Sequence, residues 1–589
     1  MSTYKQEIKE KSRVELWTRS IEKLTTQRSE NRILKEDYIK NLWDYAFNDV
    51  LKNRYVNPDQ KFLKSWCDYA ESSYLDKRPE NLKIAYFCGP EPENDLEIIL
   101  NLGVRIENVW AIEADKEMYS SALKSARKQY PTLKVFHGTI SELMKVTPMK
   151  FDIIYLDFTG PLFSKSSKPL LTVNAVFETQ SLSDLGVLIV NSALPDQDDE
   201  NVKFLSGYFQ SQPFVEKPIF TGTMNDTGYY EGADCWGYSD PEDFEALVDN
   251  NFECAYSAFS THYPSMFGSY IQPMYRVANS NTLKKMFFGK ESLIKESIEK
   301  MSTIDESEFY DEETSETSET SETSETSETS ETSETSETSE TSETPECLGD
   351  EYKLFLNDTD FILGEPVDMT DFDFEADYSG SELYESHEEF PIWHFINSLK
   401  DSKTTLGNYW YQQISKKNGP NSYFDAVKLY DLLRNANYSY KDTLSKGLAD
   451  SITSITDAIP DKHGGIFCDV PMDHLWVELA LNQLGSTYHM SSDAHWRSMY
   501  TAKTRTMYLD MFVFDRCRAL YDWIPMLNLY GEDLVSIERQ VIIRSCMDAI
   551  TKQNHHSAYF SYYGANLIGD HEQPWASFGQ LICREKITV

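Results

Sequence analysis

Three short clusters in the first half of the chain carry residue types suited to holding a ligand. Cys88-Gly89-Pro90-Glu91-Pro92 follows an apolar run, and its glycine lets backbone approach a bound molecule with no side chain between them. Glu113 ends a second run, Val-Trp-Ala-Ile-Glu, where two carboxylate oxygens can accept two hydroxyl groups. Asp157-Phe158-Thr159-Gly160-Pro161 closes a third. Purely structural roles compete with each. Asp115 is placed to cap the helix after the second run, and Glu91, Glu93, Asp95 and Glu97 to complement the dipole of the helix after the first. An Asp at 157 can equally cap its own loop.

The elements that must position these clusters follow from the apolar pattern. Strand-like runs occur at Lys83–Cys88, Asn108–Glu113, Leu133–His137, Phe151–Asp157 and Gly186–Asn191. Helical spacing lies between the first of them, on Leu96, Ile99 and Leu100, then on Met118, Ala122, Leu123 and Ala126. This alternation implies an α/β fold with a doubly wound, mainly parallel sheet, whose ligand lies beyond the carboxyl ends of the strands. Phe252–Tyr263 and Tyr270–Ala278 read as an antiparallel edge pair. Upstream, Val14, Trp17, Ile21 and Leu24, then Tyr38, Leu42, Tyr45 and Ala46, predict an N-terminal helical extension over 1–80.

With a glycine turn after the first strand, an acid ending the second and a polar motif after the fourth, residues 82–280 resemble the class I S-adenosylmethionine (SAM)-dependent methyltransferases. The resemblance implies that the Gly89 turn passes under SAM, that Glu113 binds the ribose hydroxyls and that Gly138-Thr139 flank the adenine. Asp157-Phe158-Thr159-Gly160-Pro161 is similar to the D-P-P-aromatic motif of amino-group methyltransferases, which implies a catalytic place for Asp157 facing the methyl group. The acids from Glu91 to Glu97 stand where a dinucleotide pyrophosphate would need bare amide donors, so they favour a sulfonium cation over NAD, FAD or ATP. Pro90, Glu91 and Pro92 replace the further glycines of a G-x-G-x-G turn. That departure keeps a second reading open, a methyltransferase-like domain without catalysis that serves as a binding or scaffold module. The methyl acceptor is not specified by any of these residues.

The chain has 589 residues and a formal charge of −41, of which residues 301–390 hold −30. Residues 313–344 repeat Glu-Thr-Ser without one apolar side chain, so this stretch reads as a disordered acidic linker. A polyphosphate lattice would be repelled by it. The domain division expected is therefore a helical extension over 1–80, a Rossmann-like domain over 81–300, the linker over 301–390 and a mainly helical domain over 391–589. The C-terminal part or the linker, which ends in a Phe-rich acidic segment, could engage a protein partner.

Eight of the eleven His occur at or after residue 394, among them His463, His474, His489 and His495, near Asp469, Asp473 and Asp493. They lack the short-range spacing of a metal site, and no metal is expected. Between His495 and Trp523, Arg497, Lys503, Arg505, Arg516 and Arg518 interleave with Trp496, Tyr500, Tyr508, Phe512 and Phe514. Such a pattern can grip single-stranded nucleic acid, though a helix with one packed and one solvated face is the preferred reading. Nine dispersed Cys read as reduced thiols, and no apolar run of about 18 residues suggests a membrane span, so a cytoplasmic protein is expected.

Overall fold

The computed structural model describes residues 6–34, 60–209, 241–280, 402–415, 487–490, 494–519 and 584–588, with a few isolated positions between them. The expected linker over 301–390, with its Glu-Thr-Ser repeat and Phe-rich segment, lies outside these residues, as do Tyr38, Leu42, Tyr45 and Ala46.

Helix α1 spans Glu7–Leu24 and α2 Gln60–Ser73. The alternating part follows as β1 (Ile84–Phe87), α3 (Glu93–Asn101), β2 (Val109–Glu113), α4 (Lys116–Gln129), β3 (Lys134–His137), α5 (Ile140–Val146), β4 (Phe151–Asp157), α6 (Pro169–Glu178) and β5 (Leu182–Ala193). Then come α7 (Asp199–Phe209), α8 (Pro241–Asn250), α9 (Phe252–Met266), α10 (Gln272–Asn279) and α11 (Thr405–Ser415). Strands β6 (His489–Met490), β7 (Trp496–Ala502), β8 (Arg505–Asp515) and β9 (Glu585–Lys586) end the described series.

These strands form one nine-stranded sheet in the order β9-β7-β8-β5-β4-β1-β2-β3, with β6 beside β8. Strands β1 to β5 run parallel. Strand order therefore reverses between β1 and β4, and the crevice at their carboxyl ends is where an open α/β sheet takes its ligand. The doubly wound, mainly parallel α/β fold with helices N-terminal to the sheet is the architecture observed. Strand β4 shows why it had to be internal: Phe151, Ile153, Ile154 and Leu156 have no exposure at all, which suits a strand covered on both faces.

Helix α1 is part of that cover. Leu16, Trp17, Ile21 and Leu24 are buried, while Val14, expected on the same face, is 45% exposed. Trp17 meets Tyr86 of β1 and Tyr155 of β4 edge-on, at ring separations of 6.2 and 5.7 Å.

The strand pair expected at Phe252–Tyr263 and Tyr270–Ala278 is instead helical. Aromatic and β-branched content suggested strands, but the buried positions Phe252, Ala255, Tyr256, Phe259 and Tyr263 recur every three or four residues, and so do Ile271, Met274, Val277 and Ala278. Burial of one helical face overrode residue preference. An antiparallel edge does exist, built by β7 and β8. Strand β8 pairs with β5 at every position from Met507↔Ala193 to Asp515↔Leu185. The division drawn at residue 300 thus separates segments that share one hydrogen-bonded sheet. Of the helices expected in 391–589, α11 is among the described residues, and most of that region lies outside them.

Strand β8 is locked by a buried carboxylate. Asp510 accepts from Thr261 Oγ1 at 2.6 Å, Arg584 Nη2 at 2.8 Å and Ser260 Oγ at 3.1 Å, joining β8 to α9 and to the segment leading into β9. His495 and Arg497 approach it at 3.6 Å. Burial alone would push this carboxyl up, but Arg584 foremost, with His495 and Arg497, holds it well below the usual carboxylate range. A depressed folded value means that the stabilisation is fully present above the unfolded pKa, about 4, and is lost as pH falls below it. Arg584→Met leaves Asp510 charged and short of its main partner, and is expected to cost about 3–5 kcal/mol at neutral pH. Urea titrations should show that deficit shrinking below about pH 4, where Asp510 is neutral in the unfolded chain and in the variant. A deficit independent of pH would assign the role of Arg584 to its bonds with Ser257 and the backbone instead.

Candidate functional site at the carboxyl edge of the sheet

The turn after β1 is held from several sides. Gly89 has φ +57°, a left-handed conformation that glycine adopts without strain. Cys88 is buried, its N–H donates to Ile112 O of β2 at 3.1 Å, and burial pushes its thiol up and keeps it protonated. Beyond the turn, Tyr86 donates its hydroxyl to Pro92 O at 2.8 Å. The four acids that follow divide their roles. Glu93 accepts from Ser125 and Glu97 from Tyr130, tying α3 to α4 and its C-terminal end. Asp95 is buried and accepts from Trp17 Nε1 at 2.9 Å, with Arg13 Nε at 3.4 Å, so it docks α1 rather than facing solvent at the helix end. Glu91 accepts from Asn94 at 3.1 Å and is half-buried at the turn.

Glu113 stands at the end of β2, half-buried, and its Oε1 accepts from Asp115 N at 2.8 Å. Burial, with repulsion from Asp115, pushes its pKa up, while bonds to the Asp115 and Ala114 amides and the nearby His137 oppose the rise. A carboxylate offers about four lone-pair sites, so a group oriented by its own backbone retains acceptor capacity for a ligand. Asp115 does what the competing structural reading assigned to it: Oδ1 accepts from Glu117 N and Met118 N at 2.9 and 2.8 Å, capping α4.

Gly138 follows β3 with φ +146°, and its N–H donates to Glu113 O at 3.0 Å. A Cβ there would lie 2.7 Å from Glu142 Oε2 and 2.9 Å from the Phe136 ring, so a side chain is excluded by contact as well as by backbone. Thr139 caps α5 in a reciprocal box with Glu142, Thr139 Oγ1 accepting from Glu142 N at 3.2 Å and Glu142 Oε2 accepting from Thr139 N at 2.6 Å. Gly89, Glu113 and Gly138 thus share one edge of the sheet, linked through the β1–β2–β3 pairing.

Asp157 ends β4 half-buried, beside the same crevice. Its Oδ1 accepts from Asn191 Nδ2 at 2.7 Å, and that amide also reaches Tyr500 Oη at 2.9 Å. Tyr500 lies beside Ser12 of α1. Asn191 and Tyr500 orient the carboxylate, a role the sequence marks for neither: Asn191 is the one amide in an otherwise apolar run, and Tyr500 is one of the aromatics interleaved with the basic residues after His495. The loop itself is fixed by Phe158 N to Asn191 O at 2.9 Å and Ala193 N to Gly160 O at 3.1 Å. Phe158 turns inward against Phe87 with rings 5.7 Å apart, leaving Thr159 exposed.

The basic and aromatic stretch after His495 is the β7–β8 hairpin, and Trp496, Tyr500, Tyr508, Phe512 and Phe514 are buried in it. Their faces are used in packing, His495 on Phe512 at 5.0 Å among them. His463, His474, Asp469, Asp473 and Asp493 lie outside the described residues; among those described, no three His, Cys, Asp or Glu are grouped to hold a metal ion. No described helix is long and apolar enough to cross a membrane.

The strand order β3-β2-β1-β4-β5 and its flanking helices match the Rossmann-like topology of class I SAM-dependent methyltransferases. No protein-family model matches the chain, and no curated protein matches its sequence.

The caps give a direct test of the local structure. Asp115→Ala and Thr139→Ala are each expected to lower stability by about 1 kcal/mol in denaturant unfolding. A change near zero for Asp115→Ala would mean that its two amide contacts do not form in solution.

Proposed function

We propose that the chain is a SAM-dependent methyltransferase whose cofactor lies over the carboxyl ends of β1, β2 and β3. Glu113 accepts the ribose hydroxyls, the Gly89 turn passes beneath the cofactor, Gly138 and Thr139 flank the adenine, and Asp157 faces the transferable methyl. The observation that carries this reading is the coincidence, at one sheet edge and beside the reversal of strand order, of an acid ending β2 with two positive-φ glycines ending β1 and β3. The donor set suits this cofactor. Glu91 and Glu93 remain partly exposed at the turn, where they oppose a pyrophosphate and attract a sulfonium. Bound SAM would supply an electrophilic methyl group on a sulfonium. The protein's own part is alignment of the acceptor, with Asp157, fixed by Asn191, accepting a hydrogen bond from the nucleophile.

A second reading, a binding module without catalysis, draws on Pro90 and Pro92 beside the single turn glycine and on the use of the Thr139 side chain in capping. Calorimetric titration with SAM and S-adenosylhomocysteine separates the two, micromolar binding supporting the enzyme and no binding at millimolar ligand the module.

In the first case Glu113→Ala should weaken S-adenosylhomocysteine by at least about tenfold, since hydrogen bonds to a charged group contribute about 1.5–3 kcal/mol each. Asp115→Ala serves as control, losing stability and keeping affinity. The reverse pattern would exchange the two roles, and unchanged affinity in both would place the cofactor elsewhere.

A further inference from the structure

Helix α1 crosses the sheet toward its carboxyl edge. Ser20 Oγ donates to Met511 Sδ at 3.2 Å, and the register Met511↔Ile189↔Tyr155 sets that contact two residues short of Asp157, which ends β4. Two turns earlier, Ser12 is buried beside Tyr500, which through Met507 is level with Ala193 and so already past Asp157. Glu7 lies about 8 Å further out at about 1.5 Å per residue, so the first turns of α1 overhang the carboxyl edge. Behind the overhang the helix is fixed by Arg13 and Trp17 on Asp95.

The overhang is gripped by residues 584–588. Strand β9 lies parallel to β7, opposite Ser498 and Met499, and Ile587 N donates to Met499 O at 2.9 Å. Successive side chains serve opposite faces of the sheet. Arg584 is sunk on the α9 face, donating to Asp510 Oδ2 at 2.8 Å and Ser260 Oγ at 2.7 Å. On the α1 face Glu585 Oε2 accepts from Trp496 Nε1 at 2.9 Å and Arg19 Nη2 at 3.1 Å, and Thr588 O accepts from Lys11 Nζ at 2.5 Å.

The two parts of this segment hold with different strength. Arg584 makes charge-assisted bonds out of water, whereas the Arg19 and Glu585 side chains are 39% and 52% exposed and the Lys11 contact is exposed as well. Exposed charged contacts are weak and are screened by salt, and the ladder they accompany is two residues long. We propose that residues 585–588 are a clasp: closed, it keeps the first turns of α1 over the carboxyl edge, and peeled back from its Arg584 anchor it lets residues 7–12 lift, with Arg13 as the fixed end, and opens the crevice. Which ligand then enters rests on the methyltransferase reading; the clasp itself rests on the contacts between α1 and 585–588.

The test is thiol labelling of the full chain, followed by peptide mass spectrometry. Ser12→Cys and, separately, Ser20→Cys place a thiol at positions 4% and 0% exposed, on either side of Arg13. Labelling at position 12 should quicken at least about twofold when Glu585→Gln is added and about fivefold with Lys11→Met/Glu585→Gln, the range expected of exposed charged contacts. Raising salt from about 0.01 M to about 1 M should quicken it where the clasp is intact and much less in the double variant. Labelling at position 20 should stay constant throughout. Amide hydrogen exchange across residues 7–12 of the chain without an added thiol should follow the same order. Equal acceleration at both positions would mean a general loosening of α1, and none at position 12 would mean that 585–588 do not hold the overhang; either result overturns the clasp. Bound S-adenosylhomocysteine should slow labelling at position 12, and binding without that slowing overturns the overhang as a cover of the crevice. A full clasp response with no S-adenosylhomocysteine binding retains the clasp and rejects the methyltransferase reading.

Discussion

A buried carboxylate with two donors, Asp95 between Trp17 and Arg13, fixes the relation of the N-terminal helix to the sheet. Burial pushes the Asp95 pKa up, and Arg13 and the indole N–H oppose the rise. The geometry is demanding because an unpaired charge at that depth is strongly destabilising. Once α1 is docked, Trp17 fills the space above Tyr86 and Tyr155, and the first turns of α1 come to rest over the crevice. Ser12 then meets Tyr500, and Lys9 lies within the field of Asp157. A helix that looks like an appendage in the sequence therefore shapes the site.

The site inherits its order from opposite edges of the sheet. On the β3 side, backbone conformation does the positioning, through the glycines at 89 and 138 and the caps at Asp115 and Thr139. Toward β5 side chains do it, through Asn191, Tyr500 and Tyr256, whose hydroxyl accepts from Leu162 N and donates to Ser192. The two halves meet at Phe87 and Phe158, which pack edge to face across the point where strand order reverses.

Much of this was legible because it is local. Val-Trp-Ala-Ile-Glu can hardly be anything but a buried strand ending in an acid, and Asp115 followed by a helical pattern announces a cap. Helices α9 and α10 misled because aromatic residues favour strands while their spacing favours helix, and the spacing governs what can be buried. Residues 496–515 were misread for a different reason. The partner of β8, β5, is remote in sequence, and alternation between two buried faces leaves no polar period in β8 to betray a strand. The roles of Asn191 and Tyr500 are hidden for the same cause, since they emerge only when β5 and β7 share one sheet.

Completion of the sheet by β8 has a consequence for biogenesis. Strand β5 is paired on one side as soon as β4 is in place, but its other edge, with Val187, Leu188, Ile189 and Val190, waits for β8. Roughly 300 residues separate the partners, so at about 5–20 residues per second the ribosome leaves that edge open for something like 15–60 s. An unpaired apolar strand is a template for pairing with other chains. Joining ends this distant rather than about ten residues apart adds about 3 kcal/mol of closure entropy in the logarithmic limit. The nascent chain is therefore expected to depend on chaperone protection through synthesis of its second half, and to be more prone to aggregation on the ribosome than the stability of the finished sheet would suggest.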